Sequence, residues 1–192
     1  MTAPRLLAFD GSLRRDSWNR MLLRYGIEGA RAAGAEVSQL QIRELALPLF
    51  DEDLEREQGL PEGARRLKEA MAAHDGFLLA CPEYNSSITA GLKNAIDWAS
   101  RAQPGEPALH AFRGKAAGLL SASPGALGGL RGLVTVRSIL GNIGVHLLPD
   151  QFALPRAHEA FDAQGALKDE RQRAGAAHVG SALADLARRL KA

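Results

Sequence analysis

The chain has 192 residues, of which 46% are hydrophobic and 24% charged, a composition that predicts one globular domain spanning residues 1–192. Its formal net charge is only +2, with basic and acidic residues interspersed, so nothing indicates a nucleic-acid-binding surface. No segment has the length and apolarity of a membrane span or a signal segment, so we expect a cytoplasmic protein. The single cysteine allows neither an intrachain disulfide nor a cysteine metal cluster, and we expect no bound metal.

Short apolar segments alternate along the chain with longer segments of helical periodicity. Strands are predicted at residues 6–10, 36–42, 76–81 and 116–122, with a weaker one at 145–148. Helices are predicted at 19–33, 62–74, 90–100, 130–143 and 168–190, and in the last of these Val179, Leu183, Leu186 and Leu190 should face the sheet. This alternation predicts an α/β fold, a doubly wound five-stranded parallel sheet with helices on both faces. Ligands bind such sheets beyond the carboxyl ends of the strands, so the segments that follow strands are the candidate site.

The first of these segments, FDGSLRRDSWNR, leads from the first strand into the first helix and is rich in hydrogen-bond donors. Ser12, Ser17 and Asn19 offer polar side chains, and Arg14 offers a planar cation suited to phosphate. The leading N–H groups of a helix have no intrahelical acceptors and bind anions. The pattern predicts a site for a monophosphate, and the alternative is an ordinary capped turn. The glycine patterns of dinucleotide-binding proteins and of P-loop nucleoside triphosphatases are missing from the sequence.

Two further polar segments follow later strands. In PEYNSS, residues 82–87, exposed amides could hydrogen-bond the edge of a flat heterocycle while Tyr84 packs beside it. In SASPGALGG, residues 121–129, three glycines allow the backbone to approach a ligand closely. Trp98, on the helix after the second segment, is interpreted as helix packing or a subunit contact. Three such loops at one sheet edge indicate a shared binding site.

Other chemistries have little support in the sequence. The five histidines show no metal-ligand spacing, and no G-x-S-x-G pattern indicates a serine hydrolase. Cys81 ends an apolar strand beside the candidate cleft, where it could be a nucleophile or a redox thiol. It has no histidine or second cysteine nearby in sequence, so we interpret it as a small buried hydrophobic residue.

Four segments, in order, resemble signatures of a known family: GSLRRDSWNR, PEYNSSITAGLKNAIDW, FRGKAAGLLSASPGALGG and LPRAHEAFDAQGALKDE. The family is the NAD(P)H-dependent FMN reductases of the flavodoxin-like fold, which include quinone, azo-dye and chromate reductases. The resemblance spans nearly the whole chain and implies strand order 2-1-3-4-5. It implies hydride transfer from NADPH or NADH through bound FMN to a quinone, azo compound, chromate or free flavin, with no catalytic side chain required. It also implies a homodimer or homotetramer with FMN near a subunit boundary, for which Trp98 and helix 90–100 are the suspected contact.

The resemblance also assigns flavin-binding roles to individual residues. Those matched to the phosphate are Ser12, Leu13, Arg14, Ser17, Trp18 and Asn19. Those matched to the isoalloxazine are Pro82, Glu83, Tyr84, Asn85 and Ser86, and those of the third loop are Ser121, Ser123 and Gly125. Asp10 replaces the small residue usual before the glycine, and its carboxylate is expected to weaken phosphate binding; Ala90 and Gly91 also vary the family pattern.

A rival interpretation is a non-catalytic flavodoxin-like electron carrier or a regulatory phosphate-binding module. A carrier that docks on a basic reductase is expected to be acidic. The net charge of +2 therefore favours the enzyme over the carrier.

Overall fold

The computed structural model describes residues 2–191, and its centre is a five-stranded parallel sheet. The strands are β1 (Arg5–Asp10), β2 (Glu36–Gln41), β3 (Gly76–Ala80), β4 (Glu83–Tyr84), β5 (Ser87–Ile88), β6 (Ala116–Ala122) and β7 (His146–Leu154). The main sheet has the order β2-β1-β3-β6-β7, and β4 and β5 form a separate antiparallel hairpin. With the hairpin set aside, this is the predicted order 2-1-3-4-5 of the flavodoxin-like fold, which is confirmed.

Helices cover both faces of this sheet. They are α1 (Trp18–Ala32), α2 (Glu52–Gln58), α3 (Glu62–Ala72), α4 (Ala90–Ala99), α5 (Leu130–Asn142), α6 (Ala157–Ala160) and α7 (Glu170–Leu190), with a 3-10 helix at Ile42–Leu45. The five helices expected from periodicity are α1, α3, α4, α5 and α7, with ends shifted by two residues at most. Within residues 2–191 no helix is both long and apolar enough to cross a membrane.

Two apolar clusters sandwich the sheet, because successive strand residues point to opposite faces. From β1, Leu6 and Ala8 pack in the cluster that α1 and α7 cover. Leu7 and Phe9 pack in the other cluster, beneath α3, α4 and α5. Burial on both faces explains why the central strands read as continuous apolar runs in the sequence.

Helices α1 and α7 cross at glycines that allow close backbone contact. A Cβ at Gly29 would lie 1.9 Å from the carbonyl oxygen of Ala177, and one at Gly180 would lie 1.8 Å from that of Gly26. On α7, Val179 and Leu183 are buried as predicted and Leu186 is partly buried. Leu190, however, is 44% exposed, so its predicted contact with the sheet is wrong.

The last strand is longer than its apolar segment predicted. It continues to Leu154, past Pro149 and a register shift against β6, where Ala117 pairs with Leu147 but Leu119 pairs with Gln151. Since β7 is an edge strand, a proline and an irregularity cost few ladder hydrogen bonds there. The weak prediction at 145–148 therefore found the strand but missed its second half.

Trp98 belongs to the core of its own chain. Its side chain is fully buried, its Nε1 donates to the carbonyl oxygen of Pro48 at 2.8 Å, and its ring meets Phe50 edge-on at 4.9 Å between centroids. The interpretation as helix packing is confirmed. The prediction that Trp98 contacts a second subunit is wrong, because its side chain is fully buried within its own chain.

Candidate active site

Three loops converge at the carboxyl edge of the sheet and enclose a cleft of about 260 Å³. They follow β1, β3 and β6, the strands that lie side by side in the sheet. The lining residues are Ser12, Arg14, Ser17, Trp18, Asn19, Pro82, Glu83, Tyr84, Ala122, Ser123 and Pro124. The structure thus brings residues from all three sequence segments together around one cleft.

The first loop is anchored at its start by backbone contacts. Gly11 donates its N–H to the carbonyl oxygen of Ala80 at 2.8 Å and accepts from the Thr89 hydroxyl at 2.8 Å. A Cβ at Gly11 would lie 2.8 Å from the Cβ of Leu92, so this position has no room for a side chain. Further along, the Ser12 hydroxyl accepts the N–H of Arg14 at 3.2 Å. These contacts direct the loop across the sheet edge toward α1.

The N-terminus of α1 supplies donors at the cleft. Ser17 is the N-cap residue, and its hydroxyl accepts the N–H of Arg20 at 3.3 Å. The N–H groups of Trp18 and Asn19 precede the first intrahelical bond and have no acceptor within the helix. The guanidinium of Arg14 lies over the Trp18 ring, 5.6 Å from its centroid, and within residues 2–191 it has no carboxylate partner. Free amides, a cation and the helix dipole thus meet at one end of the cleft.

Asn19 joins the first loop to the third. Its Nδ2 donates to the carbonyl oxygen of Ala122 at 2.9 Å, and its Oδ1 accepts the N–H of the same residue at 2.9 Å. Both ends of the side-chain amide are therefore engaged with the end of β6. Asn19 lies in the cleft wall, where its side chain mainly fixes the distance between two loops.

The second loop contains the β4–β5 hairpin, whose turn is Asn85-Ser86. Both residues have positive φ, 51° and 65°, as a two-residue type I′ turn requires. They are exposed at the hairpin tip and do not line the cleft, unlike Tyr84, which is 52% exposed beside it.

Glu83 in this hairpin is bound to the start of α5. Its carboxylate lies 2.8 Å from Nη2 of Arg131 and accepts the N–H of Gly132 at 2.9 Å. Although partial burial acts in the opposite direction, these contacts with Gly132 and Arg131 lower the pKa of Glu83. The carboxylate that sequence matching assigned to the flavin ring is thus occupied in holding the hairpin to α5.

The third loop contributes Ser123 and Pro124 to the cleft, while Ser121 lies beneath it. Ser121 is fully buried and its hydroxyl donates to the carbonyl oxygen of Cys81 at 2.7 Å. Gly129 has φ 93° and is packed so closely that a Cβ would lie 1.9 Å from that hydroxyl oxygen. Gly125, which donates its N–H to the Ser123 hydroxyl at 3.2 Å, is exposed outside the cleft.

Leu13, a sequence-assigned residue, lies outside the cleft, whereas Ala122 and Pro124 line it. Leu13 is 57% exposed on the outer side of the first loop, where it faces Gly91. Ala122 and Pro124 also line the cleft; they belong to the third loop, residues 121–125, which the resemblance matched to the flavin without singling them out. Both lie inside the SASPG segment, so their place in the sequence was a usable signal.

Asp10 and Cys81 lie directly behind the cleft. Asp10 is 1% exposed, and its Oδ1 lies 3.2 Å from Nε of Arg20. Burial raises the pKa of Asp10, although Arg20 and Ser17 act in the opposite direction. Cys81 is fully buried; burial, together with the negative charge of Asp10, raises the pKa of its thiol. A buried thiol that resists ionisation is a poor nucleophile, which agrees with the structural interpretation of Cys81.

Comparison with known proteins decides the family. The sequence model of NADPH-dependent FMN reductases matches residues 4–159. The chain belongs to this family. Membership makes it an oxidoreductase that depends on FMN and a reduced nicotinamide cofactor.

Relatives and solved structures support the same family. The chain is 39% identical over 170 residues to an NAD(P)H-dependent FMN reductase of Pseudomonas aeruginosa, an alignment covering 88% of this chain and 87% of the relative. It is 36% identical to an NAD(P)H:quinone oxidoreductase of Solanum tuberosum, covering 94% and 91%. Among solved structures, the flavoenzyme FerB, an NAD(P)H:(acceptor) oxidoreductase of Paracoccus denitrificans, superposes with a TM-score of 0.80 at 27% identity, covering 97% and 98%.

The donor set of the cleft fits a flavin mononucleotide. One end offers the Arg14 guanidinium, the Ser12 hydroxyl and the leading amides of α1, which suit a phosphate dianion. Pro82, Tyr84 and Pro124, which also line the cleft, offer apolar and aromatic surface, which suits an aromatic ring system. The cleft therefore combines anion-binding donors with apolar and aromatic side chains, which match the phosphate and the ring system of FMN.

Proposed function

We propose that this reductase passes electrons from NAD(P)H to quinones, using FMN held in the three-loop cleft. The observation that carries the proposal is the donor cluster at the N-terminus of α1, in a cleft that Pro82, Tyr84 and Pro124 also line. Support for quinones as acceptors comes from relatives named quinone reductases, including that of Escherichia coli at 39% identity over 131 residues.

The proposed phosphate site consists of Ser12, Arg14, Ser17 and the backbone amides of Trp18 and Asn19. Arg14 is exposed and unpaired with any carboxylate of residues 2–191, and its stacking on Trp18 holds the guanidinium near the α1 terminus. A planar cation beside free amides gives charge-assisted hydrogen bonds to phosphate. The side chain of Asn19, bound to Ala122, sets the shape of the site rather than its charge.

The proposed ring site lies between the second and third loops. Pro82 and Tyr84 form one wall, and Ser123 and Pro124 form the other. Tyr84 is 52% exposed, so this end of the cleft opens to solvent. An open ring site admits a nicotinamide and then an acceptor in turn, which explains how one cleft serves two substrates.

The chain's own contribution to the reaction is positioning. When bound, FMN supplies the hydride and electron chemistry. Among residues 2–191, Glu83 is the only carboxylate that lines the cleft, and it is engaged with Arg131 and Gly132. We assign it no role as a general acid or base. The loops therefore act by orientation, with the phosphate end fixing the flavin and the second and third loops bordering its ring.

An absorption spectrum and a steady-state assay test this proposal together. The purified protein, incubated with FMN and freed of excess, should show flavin bands and release FMN rather than FAD on denaturation. It should then oxidise NADPH or NADH in the presence of a soluble benzoquinone. A protein that stays colourless contradicts the flavin site. A flavoprotein that forms a stable one-electron form on titration but does not oxidise NAD(P)H directly would be an electron carrier.

The exposed apolar stripe at the start of α5 is the subunit contact that we propose. Leu130 and Val134, one helical turn apart on α5, are 40% and 61% exposed, and Leu127 in the turn before the helix is 50% exposed. The stripe adjoins the β4–β5 hairpin, which Glu83 fastens to α5, so a second subunit there would border the cleft. Light scattering should give a dimer or tetramer mass at micromolar concentration. Val134→Asp should lower that mass, and a monomeric wild type with full FMN occupancy would contradict the contact.

The whole of residues 1–192 is proposed to work as one domain. Helix α7 lies beyond the matched residues 4–159, yet it packs against α1 through the Gly29 and Gly180 crossing. A chain ending at residue 160 would expose that apolar face of α1 and should fail to fold. We place the enzyme in the cytoplasm, where reduced nicotinamide cofactors are supplied, and cell fractionation tests this location.

A further inference from the structure

An ion pair between buried Asp10 and partly exposed Arg20 lies beside the proposed phosphate loop. Asp10 ends β1 and is 1% exposed, while Arg20 lies in the first turn of α1. Nε of Arg20 lies 3.2 Å from Oδ1 of Asp10, and Nη2 lies 3.4 Å from Oδ2. A guanidinium that meets a carboxylate at two points is fixed in orientation as well as in position.

The same guanidinium also holds the middle of the loop. Nη1 of Arg20 donates to the carbonyl oxygen of Arg15 at 3.1 Å, and Nη2 donates to that of Arg14 at 3.3 Å. Because a trans peptide is planar, fixing these two carbonyls also fixes the N–H groups of Arg15 and Asp16. Arg20 therefore connects the end of β1, the loop and the start of α1.

The Asp10–Arg20 pair is expected to contribute more to the geometry of the loop than to the stability of the fold. An ion pair with a buried carboxylate contributes little net stability while intact, because desolvation offsets much of the attraction, whereas removing one partner leaves the other charge uncompensated. At Asp10 the burial cost is visible, since burial raises the pKa of its carboxyl group despite the neighbouring Arg20. What the pair supplies is a defined position for Arg20, and Arg20 in turn determines where two loop peptides lie.

We propose that Asp10 and Arg20 are positioning residues that hold residues 12–17 in their phosphate-binding geometry before the flavin arrives. This inference rests on the proposed FMN site. A loop that is ordered in advance loses less conformational freedom on binding, so affinity rises without any contact between Asp10 and the ligand. From sequence alone, the Asp10 carboxylate is expected to repel the phosphate. That expectation predicts that removing its charge strengthens FMN binding, whereas preorganisation predicts that it weakens FMN binding.

Flavin titrations of the full-length protein, stripped of flavin, test the proposal. The variants are Asp10→Asn, which keeps the shape but removes the charge, and Arg20→Met, which removes the guanidinium. Arg31→Met is the matched control, because Arg31 lies near the far end of α1 and donates to a backbone oxygen, that of Val37, at 3.2 Å. FMN and riboflavin are each titrated, and amide hydrogen exchange of residues 11–17 is measured without flavin.

Preorganisation predicts that both variants weaken FMN binding by tenfold or more, change riboflavin binding less than threefold, and speed exchange in residues 11–17. The control should leave all three measurements unchanged. Tighter FMN binding by Asp10→Asn would establish repulsion and overturn the proposal. Equal losses for both flavins, or unchanged exchange and affinity, would overturn it as well. If Arg20→Met does not fold, Arg20→Lys replaces it, since lysine keeps the charge but cannot span four acceptors.

The wild type distinguishes failure of this inference from failure of the proposed function. A wild-type protein that binds neither flavin overturns both. A wild type that binds FMN, with variants that bind it equally well, overturns the positioning role alone.

Discussion

Asn19 and Ala122, separated by 103 residues in sequence, form a two-point clamp in which one side-chain amide satisfies both backbone groups of the other residue. The contact is buried and ties the start of α1 to the end of β6. It therefore controls the width of the cleft between the first and third loops.

Replacing Asn19 by leucine should lower both stability and flavin affinity. Two buried backbone groups lose their partners, at a cost of about 2–4 kcal/mol in the free energy of unfolding. FMN and riboflavin should both bind more weakly, because the loops separate. Asn94→Leu is the matched control, since Asn94 forms a similar bridge to Phe50 N–H and Pro48 carbonyl oxygen outside the cleft. Urea unfolding and flavin titration measure the two effects; a destabilised Asn19→Leu with normal flavin affinity would contradict the clamp's role in the cleft.

Replacing Arg14 by alanine should weaken FMN binding selectively. The loss should be about 1.5–3 kcal/mol, the range for a hydrogen bond to a charged group. Riboflavin, which lacks the phosphate, should hardly respond. The control is Arg15→Ala, because Arg15 is an exposed neighbour that does not line the cleft. Equal loss for both flavins in a fluorescence titration would show that Arg14 serves the fold.

Removing the Asp10 charge should change how stability depends on pH. Because burial raises the pKa of Asp10 in the folded state, that state binds the proton more tightly than the unfolded chain does. The wild type should therefore lose stability relative to Asp10→Asn as pH rises from about 4, near the unfolded value, through the folded pKa. At pH values above the folded pKa, the difference in the free energy of unfolding between the wild type and Asp10→Asn should be constant. Urea unfolding from pH 4 to 8 measures it, and a difference that moves the other way would mean that Arg20 outweighs burial.

Replacing Ser86 by glycine should stabilise the hairpin. Serine at φ 65° is strained, and relief of a left-handed residue contributes about 1 kcal/mol. Thermal unfolding should show a higher midpoint for Ser86→Gly and a lower one for Ser87→Gly, which changes an extended position of β5. If FMN affinity falls at the same time, the Ser86 hydroxyl contributes to binding from the hairpin tip.

The sheet could be predicted from sequence because its strands are buried on both faces and read as apolar runs. Helix α2 could not, since it has no buried residue and is held by the Asp51 cap and an ion pair between Glu55 and Arg101 at 2.7 Å. Such an element depends on a partner far away in sequence, which periodicity does not reveal.

The candidate site, too, could be predicted only in part from the sequence. Residue types predicted an anion-binding loop, and the donors of that loop do gather at the cleft. Sequence could not show that Asn19, Glu83 and Ser121 use their polar groups on the protein itself. Their partners lie 103, 49 and 40 residues away, so only the folded chain reveals that they are occupied.

The burial of Cys81 bears on the proposed use of quinones as electron acceptors. Quinones are electrophiles that add irreversibly to accessible thiolates, and a catalyst exposed to them in every turnover would accumulate such adducts. The only sulfhydryl of this sequence is fully covered and resists ionisation. The folded enzyme thus exposes no thiolate to the proposed quinone substrates, which disfavours arylation of Cys81.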